Sequence, residues 1–219
     1  MYWSTKQRNN FALTPYQIAV INGMMLGDGY MNINRKNRCV NPYISFSQAL
    51  HNFGNFWHSY TALASMHNRI PGFCPYFDLR TRKWYYRVQF ITRTAPCLHP
   101  FYSLWYPNGS KVLPSNEILY TILSNPITLA HWILADGEFH SGVRISTQGF
   151  TYQEVYRIAS VLIYLYGWKI SVHNKSYESG YKPQLYIASE NIPHLLRLVA
   201  PYYHVSMAYK FGHHWNSFK

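Results

Sequence analysis

The sequence predicts an α+β fold made of two similar subdomains, each with the element order αββαββα. Two apolar segments of helical length end in nearly the same way, at Gly27-Asp28-Gly29 and at Ala135-Asp136-Gly137, 108 residues later. Segments with strand periodicity follow each of them and alternate with segments of helical periodicity. A repeat of this length indicates two subdomains about a pseudo-twofold axis, with the two apolar helices packed at their interface.

The domain boundaries follow from this repeat. We predict an N-terminal subdomain at residues 13–106, a linker at residues 107–123 and a C-terminal subdomain at residues 124–212. The chain has 219 residues, of which 48% are hydrophobic. It is therefore long and apolar enough for one large domain or two small ones, each with its own core.

The N-terminal half begins at Leu13-Thr14-Pro15, where a threonine cap precedes a proline at the first helical position. The helix is expected to run to Asp28, and because it is apolar nearly all round it should be central. The later elements of this half are strands at 31–34 and 40–47, an amphipathic helix at 50–66, a hairpin at 73–79 and 84–92, and a short helix at 97–106.

The C-terminal half repeats this order. Ser124-Asn125-Pro126 starts a helix that is expected to end at Asp136. Thr151 and Glu154 have the spacing of a capping box, which starts a long helix. The other elements are a strand at 143–148, a hairpin at 168–173 and 183–188, and a closing helix at 192–200.

Composition limits the class of partner. Lys and Arg number 20 against 8 acidic residues, which gives a net charge of +12. This excess favours a polyanionic partner, nucleic acid first, over a basic but inert surface. Cys39, Cys74 and Cys97 are isolated, so neither a disulfide framework nor structural zinc is expected, and a reducing compartment fits best. The longest apolar run, 161–166, is too short to span a membrane.

Two of the three aspartates end the repeated helices. A carboxylate at the foot of an apolar helix is costly to bury unless a cation faces it. Pairing the two helices would bring Asp28 and Asp136 together as a divalent-metal site. Gly23 and Gly27 are expected to let a partner helix approach closely, and the alternative is that they only mark the end of the helix.

An order of acid, amide and lysine recurs in the two halves. The first set is Asp28, Gln48 and Lys111, and the second is Asp136, Gln148 and Lys210. The set suits phosphodiester hydrolysis, because carboxylates hold a metal that activates water, lysines stabilise charge on the phosphate and glutamines orient water. Gln48 shares the strand parity of the predicted core residues Ile44 and Phe46, so its catalytic role is expected to need a β-bulge.

The strand faces opposite the core are predicted to meet the polyanion. In the segment 84–92, for example, Arg87 and Gln89 alternate with Val88 and Phe90. An ordinary solvated face is the alternative. The side chains predicted to contact duplex DNA are Asn32, Asn34, Arg35, Arg38, Arg80, Arg82, Tyr85, Arg87, Gln89, Arg144, Ser146, Lys169, Ser171, His173, Lys175, Lys182, Gln184 and Tyr186.

These stretches together resemble the LAGLIDADG homing endonuclease family in its single-chain, two-motif form, and within it the branch encoded in organellar group I introns. The matching stretches, in the family's usual order, are residues 21–29, 111–116, 129–137, 146–155 and 206–210. The resemblance covers the chain from about residue 13 to residue 211.

The resemblance implies a monomer that uses Mg2+ to cleave a long, asymmetric DNA duplex with short 3′ overhangs. Mn2+ is expected to substitute for Mg2+, and Ca2+ to support binding without cleavage. The two sheets would form a DNA-binding saddle. The implied metal ligands are Asp28 and Asp136 with the backbone carbonyls of Gly27 and Ala135. Lys111 and Lys210 match two peripheral basic positions, and Gln148 matches a polar position at the end of the second strand.

Two other functions remain open. One is an RNA-splicing maturase on the same fold, which would bind the intron RNA that encodes it. The other is a DNA-binding protein without catalysis, in which Asp28 and Asp136 serve only as helix caps. Two aspartates at matching positions in a chain with so few acids favour cleavage. We expect synthesis in a mitochondrion or chloroplast, which fits the absence of a transit peptide, although a cytosolic protein would share that absence.

Overall fold

The computed structural model describes residues 3–34, 39–79, 81–177 and 180–216. The chain divides into two compact units, Met1–Lys111 and Val112–Lys219. The boundary between the units falls within the segment that the sequence predicts as a linker.

The first unit contains a four-stranded antiparallel sheet and four α-helices among its described residues. The elements are α1 (Thr5–Asn10), α2 (Pro15–Leu26), β1 (Tyr30–Asn32), β2 (Tyr43–Ala49), α3 (Phe53–Ala62), β3 (Gly72–Asp78), β4 (Lys83–Ile91) and α4 (His99–Trp105). The strand order is β1-β2-β4-β3. One face of the sheet is buried against α3, where Phe56 lies 6.3 Å from Phe46 and 5.5 Å from Phe90 between ring centroids.

The second unit has the same order of elements. They are α5 (Asn116–Leu123), α6 (Pro126–Asp136), β5 (Gly137–Phe139), β6 (Val143–Ser146), α7 (Tyr152–Tyr166), β7 (Ile170–Tyr177), β8 (Gly180–Ile187) and α8 (Ile192–Val199). The strand order is β5-β6-β8-β7, the counterpart of the first sheet. A 3-10 segment, Val205–Trp215, follows α8. The predicted α+β fold, with αββαββα in each half, is confirmed.

Three local details differ from the outline that the sequence predicts. The predicted linker contains α5, which packs against α7. The predicted helix at 50–66 is α3 flanked by two 3-10 turns, Leu50–Asn52 and Ala64–Met66. An additional helix, α1, begins at a capping box between Ser4 and Gln7, and this spacing was visible in the sequence.

The helix starts agree with the sequence. Thr14 accepts a hydrogen bond from the backbone of Gln17, whose side chain bonds back to the cap, and Pro15 opens α2. Thr151 and Glu154 form the same reciprocal pair at α7. Asn125 caps α6 by accepting from the amide of Ile127.

Glycine is required where each motif helix passes into its strand. A Cβ on Gly29 would lie 2.6 Å from the carbonyl oxygen of Met24, and one on Gly137 would lie 2.6 Å from that of Ile133. Both distances are far inside normal contact, so the chain turns closely against the last helical turn only because no side chain is present. This packing explains why glycine follows each aspartate.

Among the described residues, no single helix is long and apolar enough to cross a membrane. The bent pair α5 and α6, which meet at 88°, reaches that limit by length and composition only.

Candidate active site and nucleic-acid interface

Asp28 lies in the connection between α2 and β1, at the exposed surface of the first unit. Its Oδ2 atom accepts a hydrogen bond of 2.5 Å from Nε2 of Gln48. The Oε1 atom of the same glutamine accepts a 3.2 Å bond from Nδ2 of Asn55 on α3. Gln48 is 5% exposed and Asn55 is 0% exposed. The Gln48 amide is therefore held from both ends, and its two bonds determine which end faces the carboxylate.

Gln48 reaches Asp28 without a β-bulge. β2 pairs with β4 without interruption through Gln48↔Val88, and Gln48 lies on the buried face, as its parity predicts. β1 pairs with β2 through Tyr30↔Ser45. Continuing this register by two residues places Asp28 beside the residue before Gln48, so the amide reaches the carboxylate from a regular strand.

The two predicted lysines occupy matching places in the two units. The Nζ atom of Lys111 donates to the carbonyl oxygens of Gly27 at 2.8 Å and Gly29 at 3.0 Å. The Nζ atom of Lys210 donates to those of Leu134 at 2.7 Å and Ala135 at 3.2 Å. Each ammonium thus lies at the C-terminal end of a motif helix, where a positive charge is favoured.

The environments of the two lysines differ. Lys111 is half-buried, whereas Lys210 is only 3% exposed. Gly27 and Ala135, whose carbonyls the family resemblance implies as metal ligands, each accept one lysine hydrogen bond. A carbonyl oxygen has two lone pairs, so each retains the capacity for a second partner.

Gln148 does not end a strand, and this expectation is corrected. β6 ends at Ser146, and Gln148 lies exposed in the turn that follows. The register identifies another counterpart of Gln48. Tyr30 pairs with Ser45 in the first sheet and Glu138 with Arg144 in the second.

Both Tyr30 and Glu138 stand two residues after a motif aspartate, so Ser45 and Arg144 are equivalent. Gln48 and Thr147 each follow three residues later. Thr147 is buried, and its Oγ1 atom donates to the carbonyl oxygen of Pro183 at 2.9 Å. The second unit therefore has a hydroxyl, engaged with the backbone, where the first has the amide that contacts aspartate.

The donor atoms suit a hard divalent cation. Asp136 ends α6 and is half-buried. Within the described ranges, no group of three or more His, Cys, Asp or Glu side chains is arranged to hold a metal ion. Mg2+ is commonly held by one or two carboxylates, with waters and substrate phosphates completing its octahedron. Asp28 in the first unit and Asp136 in the second each supply a carboxylate of this type.

The outward face of the first sheet presents an ordered set of polar and aromatic side chains. The guanidinium of Arg87 lies 6.0 Å from the ring centroid of Tyr76, which stacks at 5.9 Å on Tyr85. Nε2 of Gln89 donates to Oγ of Ser45 at 2.9 Å. These contacts hold Arg87, Tyr85 and Gln89 in position on the predicted nucleic-acid face.

The outward face of the second sheet is similar. His173 stacks on Tyr186 with ring centroids 5.0 Å apart, and Ser171 Oγ lies 2.8 Å from His173 Nε2. Gln184 differs from expectation. It has outward parity, but it lies on the central strand between Ser146 and His173 and is only 5% exposed. Gln184 is therefore buried among neighbouring residues, although the sequence predicts an exposed side chain.

The remaining predicted contact residues divide by position. Asn32 and Asn34 are half-buried at and just after β1, and Arg82 is exposed in the turn between β3 and β4 with φ of 52°. Arg35, Arg38 and Arg80 lie outside the described residues. On the second sheet, Arg144, Ser146 and Lys182 are half-buried and Lys169 and Lys175 are exposed.

The sequence interpretation missed two residues. Asn55 lies within the aromatic stripe of α3 and is fully buried. An amide among the apolar residues of a helix was the signal that the sequence offered, because a buried amide needs hydrogen-bond partners. Thr147 was obscured by its neighbour Gln148, because the loops that join the first two strands differ in length between the halves. Only the strand register identifies the equivalent positions.

The chain is similar in sequence to proteins named as intron-encoded endonucleases and mRNA maturases. The cytochrome b mRNA maturase bI2 of Debaryomyces hansenii is 33% identical over 128 residues, 58% of this chain and 47% of that protein. The intron-encoded endonuclease ai4 of Dictyostelium discoideum is 32% identical over 127 residues, 58% of this chain and 77% of that protein. The chain thus spans about half the length of the curated maturase.

Among solved structures, the homing endonuclease I-WcaI, bound to its DNA recognition sequence, superposes with a TM-score of 0.79 at 19% identity. The match covers 92% of this chain and 88% of that one, so the fold is shared. Residues 18–195 match the sequence model of the LAGLIDADG DNA endonuclease family. Because this match runs from α2 into α8 and takes in both Asp-Gly turns, the chain belongs to the LAGLIDADG DNA endonuclease family.

Proposed function

We propose that the protein is a site-specific DNA endonuclease that makes a metal-dependent double-strand break, with short 3′ overhangs, in a long asymmetric target. One observation carries this proposal. Each unit has an aspartate at the end of an apolar helix and a lysine bonded to the terminal carbonyls of that helix. Two such sets suit the cutting of two strands, and the chain contains both.

In this proposal Asp28 and Asp136 would hold Mg2+ together with the backbone carbonyls of Gly27 and Ala135. A bound divalent ion lowers the pKa of the attacking water and neutralises charge on the phosphate. Asp28 is oriented for its part by Gln48, whose amide donates to Oδ2. Gln148, although exposed in a turn, stays in the proposal as a residue that orients water.

The lysines supply fixed positive charge. Lys111 and Lys210 are anchored by backbone carbonyls, so their ammonium groups do not have to be reorganised when negative charge develops on the phosphate. Such preorganised charge is the main electrostatic contribution that a protein makes to phosphodiester cleavage.

We propose that the outward faces of the two sheets bind the duplex. The protein would act as a monomer, with subdomains at residues 13–106 and 124–212. Net charge of +12 supports a large electrostatic share of binding. If about ten phosphates are neutralised, the slope of log K on log salt would be about −9. A slope near zero would contradict an extended duplex interface.

A second candidate function is intron RNA splicing as a maturase on the same fold. The 33% identity to a protein named as a cytochrome b mRNA maturase supports it. The names of the relatives also support synthesis in an organelle, where we propose that this protein is made.

The test is cleavage of a randomised duplex library by the wild type and by Asp136→Asn, each with Mg2+ and with Ca2+. We expect discrete cuts with 3′ overhangs only for the wild type with Mg2+, and retained binding in the other three arms. Glu117→Gln is the control, because it removes an exposed carboxylate on α5 and should leave cleavage intact. Equal cleavage by Asp136→Asn would contradict the metal site. Binding without any cutting would move the assignment to the maturase.

A further inference from the structure

A cavity of about 620 Å³ opens in the first unit, where β4 ends and β3 begins. Its wall includes Trp3, Arg8, Asn68, Arg69 and Arg93, which we call the arginine pocket. Trp3 and Arg8 come from the N-terminal segment with α1, Asn68 and Arg69 precede β3, and Arg93 follows β4. Separate stretches of chain thus bring three arginines to the lining of one cavity.

The arginine pocket is electropositive throughout. None of the described residues that line it is an aspartate or glutamate. Burial and the nearby charge of Arg93 lower the pKa of the adjacent His67 to about 4, so His67 is neutral near pH 7. The positive charge of the pocket therefore comes from its arginines, and this charge favours an anionic ligand.

Arg93 is held in a fixed geometry. Its Nε donates to the carbonyl oxygen of His67 at 3.3 Å, and its guanidinium carbon lies 4.6 Å from the ring centroid of Trp3. Trp3 also packs on Phe11 with centroids 4.6 Å apart. The indole thus supports the guanidinium and is engaged by two protein groups, which leaves little of it for stacking with a nucleobase. The chemistry favours phosphate, which guanidinium groups bind through paired N–H donors.

The arginine pocket adjoins the outward face of the first sheet. Gln89 and Ile91 share the parity of Arg87 on β4, and both line the cavity. At about 3.3 Å per strand residue, Arg87 and Ile91 are about 13 Å apart. If a duplex lay along that face, its sugar-phosphate backbone would lie close to the cavity.

We propose that the arginine pocket binds a backbone phosphate of the duplex that lies along the first sheet. This inference rests on the proposed function, which supplies the duplex. It adds the N-terminal segment to the interface and assigns it a role in affinity. Phosphate contacts position a protein on DNA and carry no sequence information directly, so the pocket should strengthen binding without changing which target is chosen.

The test is the salt dependence of binding to a labelled pool of random-sequence DNA duplexes, with Ca2+ present. We compare the wild type with Arg8→Gln/Arg69→Gln, which removes the two lining arginines that are not stacked on Trp3. Lys6→Gln is the control, because Lys6 is an exposed cation on the same helix and is not among the residues that line the cavity. The slope of log K on log salt should fall in magnitude by about 0.9 for each phosphate that the double variant no longer neutralises, whereas Lys6→Gln should keep the wild-type slope.

Separate outcomes overturn separate statements. If the wild type binds the duplex pool and the double variant has the wild-type slope, the arginine pocket is not a phosphate site and the proposed function stands. If the wild type fails to bind duplex at all, the proposed function fails first. The same titration is carried out with a labelled pool of single-stranded RNA. If the double variant loses affinity only for that RNA, the phosphate belongs to RNA and the inference is wrong. Thermal unfolding of both variants, together with the single change Arg69→Gln at an exposed position, separates binding effects from misfolding.

Discussion

Nε2 of Gln48 lies 2.5 Å from Oδ2 of Asp28, and a second amide, that of Asn55, holds the other end of the glutamine. The equivalent residue of the second unit, Thr147, bonds to the backbone at Pro183 instead. The two aspartates therefore stand in different surroundings, although the chain repeats the same motif. This asymmetry makes the residues around Asp28 the first to test by mutation.

Asn55→Ala should slow cleavage while binding is retained. The change removes the donor to Oε1 of Gln48, so the amide that orients Asp28 loses its second anchor. A buried acceptor without its partner also costs about 1–3 kcal/mol of unfolding free energy. Single-turnover cleavage, duplex affinity and urea unfolding measure the three effects. A stability loss with an unchanged cleavage rate would show that Asn55 is only structural.

Gln48→Glu should shift the pH profile of cleavage. The change places a carboxylate oxygen beside Asp28, and two carboxylates at this distance do not both ionise readily, so the pKa of the pair rises. A raised pKa keeps a proton on the pair to a higher pH, so the acid limb of the cleavage rate should move upward. Gln148→Glu, in an exposed turn, should shift the limb less. Equal shifts would contradict the assignment of Thr147, and not Gln148, as the equivalent of Gln48 in the second unit.

Lys210→Met should destabilise the fold more than Lys111→Met. Lys210 is 3% exposed, so removing it leaves the carbonyls of Leu134 and Ala135 without this donor in a place that water reaches poorly. The expected cost is about 1–3 kcal/mol. Lys111 is half-buried, and water can replace part of its hydrogen bonding. Urea unfolding of both variants, with the exposed Lys169→Met as control, gives the order. Equal losses would contradict this explanation.

Gly29→Ala and Gly137→Ala should each reduce stability. The added Cβ would lie 2.6 Å from the carbonyl oxygen of Met24 or Ile133, so the turn from helix to strand must open, at a cost of about 1–3 kcal/mol. Gly149→Ala is the matched control, because an added Cβ there meets nothing within 4 Å. Thermal unfolding distinguishes them. Similar midpoints for all three variants would show that the turns relax freely.

His67→Phe should flatten the dependence of stability on pH between about 4 and 6.5. Burial and Arg93 lower the pKa of His67 from 6.5 to about 4, so below 6.5 the unfolded chain binds a proton that the folded chain resists. The contribution of neutral His67 to the free energy of unfolding is fully present above pH 6.5. As the pH falls toward 4, this contribution decreases by about 3 kcal/mol. Phenylalanine keeps the ring that packs on Tyr60 and removes the proton site.

Urea unfolding across this pH range tests the expectation. The exposed His140→Gln is the control, and it should follow the wild-type curve. A His67→Phe curve that runs parallel to the wild type would show that another group causes the loss.

Local and repeated features of the chain were enough to predict the element order and the Asp-Gly turns, and they also singled out the two lysines that bond to the backbone at the ends of the motif helices. Periodicity decides which face of a segment is buried, caps decide where helices begin, and glycine follows each acid because the turn is close-packed. The equivalent lysines could be found because the acid, amide and lysine recur in the same order in both halves.

The amide that meets Asp28 could be identified only from the packed structure. The strand register, which depends on pairing across the sheet, makes Thr147 and not Gln148 the partner of Gln48 in the repeat. It also buries Gln184 on a face that parity marks as outward. The arginine pocket joins residues as far apart as Trp3 and Arg93. Such contacts depend on how separate elements pack, and no periodicity along the chain records that packing.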